Sequence, residues 1–395
     1  MNETDAIVLV DGARTPIGTF GGVFKDTPAH KLGAAAIREA VQRAHVDPDE
    51  VDEVVLGCVG TVGPDAFNAR RAALAAGLSP HTTAMNVNRL CGSGLQALWT
   101  GATEIMTGQA SIVVAGGNEN MTRQPFLDYE ARDGYRLAHR TLVDGTLSLV
   151  TDPWGSYPMG VTAENVASRF HVTRDEQDEF AHRSQQRAGA AIAAGLFRDE
   201  IVPVTVRERK SERIVDTDEH PRPDTTLAKL GKLRPAFAEQ GTVTAGNSSG
   251  INDAGAAIVL MRESTARKRG VQPLARFVAF AKTAIEPEIM GYAPKYAIES
   301  VLGKAGVDVN QIDVVELNEA FAAQAVAVIR DAKLDPEKVN PNGGAIALGH
   351  PIGATGAILT LKALYDLRRR GGRLALVTLC IGGGQAVAGL FEVVS

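Results

Sequence analysis

The chain of 395 residues has only three cysteines, Cys58, Cys91 and Cys380. So few, and an odd number, make no disulfide framework and point to a reducing compartment. Their spacing matches no zinc site. There is no excess of positive charge either. The 41 Lys and Arg stand against 46 Asp and Glu, a formal net charge of −5. That argues against nonspecific attraction to nucleic acid or an acidic membrane. The longest apolar stretch, 374–391, is broken by Thr378, Gly382-Gly383-Gly384 and Gln385. It reads as two buried strands joined by a glycine turn, not as a membrane span. The opening residues, Met1-Asn2-Glu3-Thr4-Asp5, are acidic, so no signal peptide is expected. The closing Phe391-Glu392-Val393-Val394-Ser395 carries no peroxisomal address, and the expected location is cytoplasmic.

What is present is ordinary for a globular protein: 45% hydrophobic and 22% charged residues. The length implies two or three domains. Short β-rich runs alternate with helical patterns. Strands are expected at 7–10, 51–56 and 111–115, and helices at 29–44 and 91–106. In the first helix Leu32, Ala36, Ile37 and Ala40 share one face. This alternation predicts an α/β architecture with mostly parallel, buried sheets.

An internal repeat organises the chain. Residues 36–55 align without gaps to 297–316, with coincident apolar positions and an Asp opening the next strand in both. Each copy is followed by a Gly-rich segment, a helix and a strand that runs into glycines, Val113-Val114-Ala115-Gly116-Gly117 and Leu379-Cys380-Ile381-Gly382-Gly383. The expectation is two copies of one α/β unit. Between them, about 120–250, lies a region richer in charge and loop-formers, with a helix at 176–195 and an exposed, polar hairpin and loop at 207–224. It reads as an insertion that covers one face and supplies binding loops.

Five segments carry chemistry. In Asn88-Arg89-Leu90-Cys91-Gly92-Ser93-Gly94 a thiol stands at the start of a helix, where unpaired N–H groups and the helix dipole favour a thiolate. His350 lies between Gly349 and Pro351, in a glycine-rich loop leading into a helix at 357–367. Such an imidazole can polarise a thiol or orient a carbonyl. Cys380 ends a buried strand before three glycines. It is either a core cysteine or a second thiol acting as acid and base, with glycine N–H groups free for an oxyanion. Asn318, after an apolar strand, is either a helix N-cap or an amide that holds a water or a substrate oxygen. The loop Thr244-Ala245-Gly246-Asn247-Ser248-Ser249-Gly250 is either a turn or a pocket lining. Cys58, at a strand end with no helix or histidine loop beside it, is read as structural.

Together these segments resemble the thiolase family. The resemblance rests on Asn88 to Gly94, Asn318-Glu319-Ala320-Phe321, Gly349-His350-Pro351 and Cys380-Ile381-Gly382-Gly383-Gly384, in the family order and spanning essentially the whole chain. Arg14-Thr15-Pro16-Ile17-Gly18 and Thr162-Ala163-Glu164-Asn165-Val166-Ala167 also match. The family implies a five-layered α-β-α-β-α fold built from two βαβαβαββ halves. Here the N-terminal half would be 1–121 with 251–271, the inserted loop domain 122–250, and the C-terminal half 272–395. It implies acyl-CoA and coenzyme A as substrates, no metal, no permanently bound cofactor, and a homodimer or homotetramer.

Carried over by position, Cys91 would be the acylated nucleophile and His350 its activator. Cys380 would exchange a proton with the coenzyme A thiol or with the α-carbon of acetyl-CoA. One oxyanion hole would use the N–H groups of Cys91 and Gly382, the other His350 and a water held by Asn318. Met159, Arg222, Phe237, Ala245, Ser249, Ala320 and Phe321 occupy positions that match the family's coenzyme contacts. One departure is Tyr157-Pro158-Met159-Gly160, where many acetoacetyl-CoA thiolases carry a histidine before the methionine. Pro-Met-Gly is similar to degradative 3-ketoacyl-CoA thiolases, of the kind used in β-oxidation of fatty acids. The activity implied is reversible cleavage of 3-ketoacyl-CoA. The alternatives are an acetoacetyl-CoA-specific acetyltransferase working in the condensing direction, a ketosynthase-type condensing enzyme, and a non-catalytic coenzyme A scaffold. The Cys380-Ile381-Gly382 motif argues against the ketosynthase.

Overall fold

The structure is a computed structural model that describes residues 5–137, 139–207 and 211–394. The readings made at residues 1–4, at 208–210 in the polar hairpin and at Ser395 lie outside these residues.

In chain order the first unit comprises β1 (Ile7–Arg14), α1 (Ala29–Arg43), β2 (Glu53–Gly57), α2 (Asn68–Ala76), β3 (Thr83–Val87), α3 (Ser93–Met106) and β4 (Ile112–Asn120). The intervening region holds α4 (Met159–Arg169) and α5 (Arg174–Ala193), and β5 (Asn252–Arg262) then returns to the first unit. The second unit comprises β6 (Ala275–Ala284), α6 (Pro294–Ala305), β7 (Val314–Leu317), α7 (Ala322–Asp331), α8 (Ile352–Arg370), β8 (Leu374–Ile381) and β9 (Gln385–Glu392).

The strands follow the order β7-β8-β9-β6-β1-β5-β4-β2-β3. The two units meet at β1 and β6, which pair only at Val8 with Arg276 and Leu9 with Ala275. Walking outward from that joint, each unit repeats the same strand order. The one difference is that the counterpart of β3 is reduced to a single bridge between Val315 and Val339.

The repeat read in the sequence extends to single hydrogen bonds. Asp47 and Asp308 each cap a short 3-10 turn in a reciprocal capping box. The Asp52 carboxylate accepts the N–H groups of Ser111 and Ile112, and Asp313 those of Arg373 and Leu374. The same residues therefore dock the last helix-to-strand turn in both units.

The sheets are mixed, not mostly parallel. β2 runs parallel to β3 and β4, and β7 to β8. The pairs β4–β5, β5–β1, β6–β9 and β8–β9 are antiparallel. Both faces of each sheet are nonetheless buried, and alternation along the strands divides them between layers. Ile7 and Leu9 point into the central core with α3 and α8, while Val8 and Val10 face α1 and α2. In β8, Val377 and Leu379 face the centre, and Leu374 and Leu376 face α6 and α7. Five layers result. α8 is buried from Ile352 to Leu367, as expected of a helix with sheets on two sides.

Gly116 and Gly117 do not end β4, which runs on to Asn120. A Cβ at Gly116 would stand 2.1 Å from the carbonyl O of Ala256, and one at Gly117 2.0 Å from that of Gly353. Glycine marks close backbone approach here, not termination.

Candidate active site

α3 and α8 cross in contact at their first turns. A Cβ on Gly356 would lie 2.2 Å from the amide N of Leu95, and one on Gly94 2.8 Å from that of Ala357. The segments that precede the two helices, with Cys91 and His350, are thereby drawn to one place.

Cys91 sits on a tight turn. Leu90 has φ 46°, a left-handed conformation that a leucine adopts only under constraint. Ser93 supplies that constraint: its Oγ donates to the Leu90 carbonyl at 2.6 Å and accepts the Arg89 N–H at 2.9 Å. α3 begins at Ser93, with Gly92 as its N-cap.

At the Cys91 thiol, which is half-buried, the helix-end effect meets an opposing one. Burial pushes it up to about 11, although the N–H groups of Gly382 and of Cys91 itself pull the other way. Desolvation outweighs the helix end, and ionisation therefore requires a base.

His350 is the residue expected in that role. The backbone N–H of His350 donates to Asn252 Oδ1 at 3.0 Å. Its Nδ1 lies 2.7 Å from Oγ1 of Thr355, and that hydroxyl donates to the Pro351 carbonyl at 2.9 Å. A hydroxyl has one hydrogen, so Thr355 accepts and Nδ1 carries the proton. Nε2 is left as the proton acceptor, 3.4 Å from Nδ2 of Asn318. Burial lowers the imidazole to about 4, which keeps it neutral at physiological pH.

Asn318 is no N-cap, since α7 starts at Ala322 after Phe321. It is fully buried, and its Oδ1 has no partner. Cys380 is also fully buried and packs with Met290 and Ala320, beside Met159 and Phe321. Burial, then the proximity of Cys91, raise its thiol. The hairpin after it turns through Gly383 and Gly384, at φ 84° and 81°.

A cleft of about 750 Å³ opens onto this centre. Its lining includes Cys91, His350 and Gly382, together with Met159, Arg222, Phe237, Ala245, Ser249, Ala320 and Phe321. Cys380 and Asn318 stand behind that lining, not on it. Sequence reasoning missed His220 and Lys229 in the same wall, and the apolar Met121, Leu147, Leu149, Val150, Met290 and Ile352. These two side chains lie in a polar stretch that offers no periodic signal. The apolar residues come from separate loops and converge only in the fold.

Four carboxylates, three of them buried and Glu164 half-buried, fix the loops around the cleft. Glu119 accepts the N–H groups of Val59 and Gly60 from the first unit and of Gly353 from the second, each at 3.0 Å. Burial raises it to about 7 against the pull of those donors. Cys58, fully buried, directs its thiol at Glu119 and does not line the cleft. Arg14 is wholly buried between Asp218 and Glu200, at 2.7 and 3.0 Å, and so anchors the segment that carries His220 and Arg222. Glu164 accepts the N–H groups of Thr242 and Val243, just ahead of the Ala245 loop. Among the described residues no group of His, Cys, Asp and Glu is placed to hold a metal ion, and no helix is long and apolar enough to cross a membrane.

Residues 7–264 match the thiolase N-terminal domain and residues 271–393 the thiolase C-terminal domain. The chain belongs to the thiolase family. It is an acyltransferase. It is 51% identical over 391 residues to the beta-ketothiolase BktB of Cupriavidus necator, covering 98% of this chain and 99% of that one. It is 50% identical over 384 residues to an acetyl-CoA acetyltransferase of Rhizobium meliloti, covering 97% and 98%. Among solved structures, the acetyl-CoA acetyltransferase of Bacillus anthracis superposes with a TM-score of 0.97 at 44% identity, covering 100% of both chains. Human mitochondrial 3-ketoacyl-CoA thiolase in complex with CoA superposes with a TM-score of 0.95 at 41% identity, covering 99% of this chain and 98% of that one.

Proposed function

We propose that this chain cleaves 3-ketoacyl-CoA reversibly, with coenzyme A, to acetyl-CoA and a shortened acyl-CoA through an acyl-Cys91 intermediate. The observation that carries this reading is the convergence of Cys91, His350 and Gly382 at one cleft, with Cys380 immediately behind.

His350 Nε2 takes the Cys91 proton as the sulfur attacks the ketone carbon. The resulting alkoxide lies where fixed donors are needed. The bond between α- and β-carbons breaks, and its electron pair passes to the acetyl-CoA enolate, whose α-carbon takes the Cys380 proton. Coenzyme A then attacks acyl-Cys91, gives its proton to the Cys380 thiolate, and Cys91 leaves and recovers its proton from His350. Nδ1–H stays on Thr355 throughout, so the proton gained at Nε2 faces the site and serves as an oxyanion donor. The N–H groups of Cys91 and Gly382 form the other oxyanion hole, and Asn318, with a free Oδ1, holds the water of the first.

Residues 122–250 form the coenzyme-binding insertion between the two halves, 1–121 with 251–271 and 272–395. Arg222 and Lys229 suit the coenzyme's phosphates, and Met159, Phe237, Ala245, Ser249, Ala320 and Phe321 the pantetheine arm. Pro158 with Met121, Leu147, Leu149 and Val150 gives an apolar wall that supports a range of acyl chains beyond acetoacetyl. The names of the relatives, beta-ketothiolase and acetyl-CoA acetyltransferase, keep the acetoacetyl-specific, condensing reading as the alternative. A run of exposed Phe126, Tyr129 and Tyr135 supports a homo-oligomer. The location we assign is cytoplasmic.

Thiolysis of acetoacetyl-CoA and of a series of longer 3-ketoacyl-CoA esters tests the reading. Activity that extends past acetoacetyl-CoA is expected. Activity on acetoacetyl-CoA alone selects the alternative, and none on any ester overturns the proposal.

A further inference from the structure

One buried amide touches the second thiol and has no part in the reading above. Gln324, in the first turn of α7, is completely buried. The two ends of an amide have the same shape, so their neighbours assign them. One end faces the carbonyl O of Asn318 at 3.1 Å, and the other faces the N–H of Ala325 at 2.8 Å. The end toward Asn318 must be the NH2 group. That same end lies 3.2 Å from the sulfur of Cys380. The NH2 group has two hydrogens. One satisfies the Asn318 carbonyl and the second is directed at the sulfur.

The hydrophobic residues clustered with Cys380 are Met290, Ala320, Met159 and Phe321. The ionisable neighbour that acts on it is Cys91, which disfavours a negative charge there, as burial does. The N–H of Cys380 itself acts the other way. A thiolate formed here has few donors, and an amide hydrogen on the sulfur stabilises the charged form selectively. The contact also ties the backbone of Asn318 to Cys380.

We propose that Gln324 is a positioning residue that donates an amide N–H to the Cys380 sulfur and so sets how readily this thiol releases and recovers its proton. The consequence for turnover rests on the thiolase mechanism proposed above, whereas the hydrogen bond does not.

The test therefore has two arms. In substrate-free protein carrying Cys91→Ser, alkylation of Cys380 by iodoacetamide is followed against pH by peptide mapping, with Gln324, Gln324→Met and Gln324→Glu. Methionine keeps the shape and loses the donor, and glutamate presents an oxygen. Both variants are expected to react roughly five- to fiftyfold more slowly at every pH. An equal or faster rate overturns the proposal. A purely structural loosening raises reactivity and is thus distinguished. In the second arm, on otherwise unaltered protein, Gln324→Met is expected to form acyl-Cys91 but to lower thiolysis kcat by a similar factor, with the rate rising at higher pH and KM for coenzyme A little changed. An unchanged kcat and pH profile would count against Gln324. Absence of acyl-Cys91 in the unsubstituted protein would instead count against the mechanism, and the first arm would still decide the hydrogen bond.

Discussion

Nδ1 of His350 and Oγ1 of Thr355 stand 2.7 Å apart, and the hydrogen of that hydroxyl is committed to the carbonyl of Pro351. This one contact selects the imidazole tautomer and leaves Nε2 as the proton acceptor, the role the proposed mechanism gives it toward Cys91. Thr355→Val keeps the shape and removes the acceptor. A lost buried hydrogen bond of about 1–3 kcal/mol corresponds to a roughly 5- to 150-fold fall in kcat. Thr355→Ser should restore most of it. Steady-state kinetics of the pair provide the check, and equal rates for Val and Ser would remove the tautomer argument.

The two titrations at the centre give a pH signature. His350, lowered to about 4, stays neutral through the physiological range, so the acid limb of kcat/KM should fall off near 4 and not near 6.5. Cys91, pushed up to about 11, should show alkylation that climbs about tenfold per pH unit from 7 to 9. A plateau of Cys91 alkylation below pH 7 would mean a resting thiolate and would defeat this account.

Glu119 offers a stability test. Its folded value of about 7 lies above its ordinary 4.5, so the folded state holds the proton more tightly. That contribution is fully present below about 4.5 and is lost as pH rises through about 7. In Glu119→Gln the slope is absent, and the amide sets an NH2 against backbone donors, which destabilises the protein. Urea unfolding should show the advantage of the unsubstituted protein over Glu119→Gln shrinking by up to about 3 kcal/mol between pH 4.5 and 7.5. A gap that stays constant would contradict the assignment.

Arg14 lies far down the chain from its partners and holds both inside the protein. Arg14→Met leaves Glu200 and Asp218 buried without a cation, a loss of about 3–5 kcal/mol. Because that segment carries His220 and Arg222, KM for coenzyme A should rise more than kcat falls. A variant with normal stability and normal KM would show that the anchor is idle.

Gly356 tests the crossing of the two central helices. Gly356→Ala places a Cβ 2.2 Å from the Leu95 amide N, where only a shift of α3 or α8 makes room. Overpacking of this kind costs about 1–3 kcal/mol. It also separates Cys91 from His350, so acylation should fall more than the melting temperature suggests. Unimpaired acylation would mean that the crossing does not set the site.

Much of this was legible in the chain because it is local. The repeat is carried by a capping aspartate, a strand-opening aspartate and apolar positions at fixed offsets, and Asp47 and Asp308, Asp52 and Asp313 occupy the same roles in both units. The glycine hairpin after Cys380 is likewise a property of three adjacent residues. What the sequence hid is tertiary. The counterpart of β3 shrank to the bridge at Val339, which no pattern announced. Gly116 and Gly117 read as a strand end in the sequence because what demands them is tertiary: Ala256 across the sheet for Gly116, and Gly353 of the other unit for Gly117. The thiolate expected at Cys91 is opposed from the same quarter: the helix end is local, but the burial that pushes the thiol up is supplied by the whole fold. Thr355 and Gln324 carry no signal apart from what they touch.

The central claim is that Cys91 carries the acyl group between thiols, and mass spectrometry of the protein after incubation with acetyl-CoA addresses it most directly. One acetyl group is expected on the peptide that contains Cys91, lost in Cys91→Ser and retained in Cys380→Ala with slow turnover. Acetyl found on Cys380, or no covalent acetyl in a protein that still turns over, would contradict it.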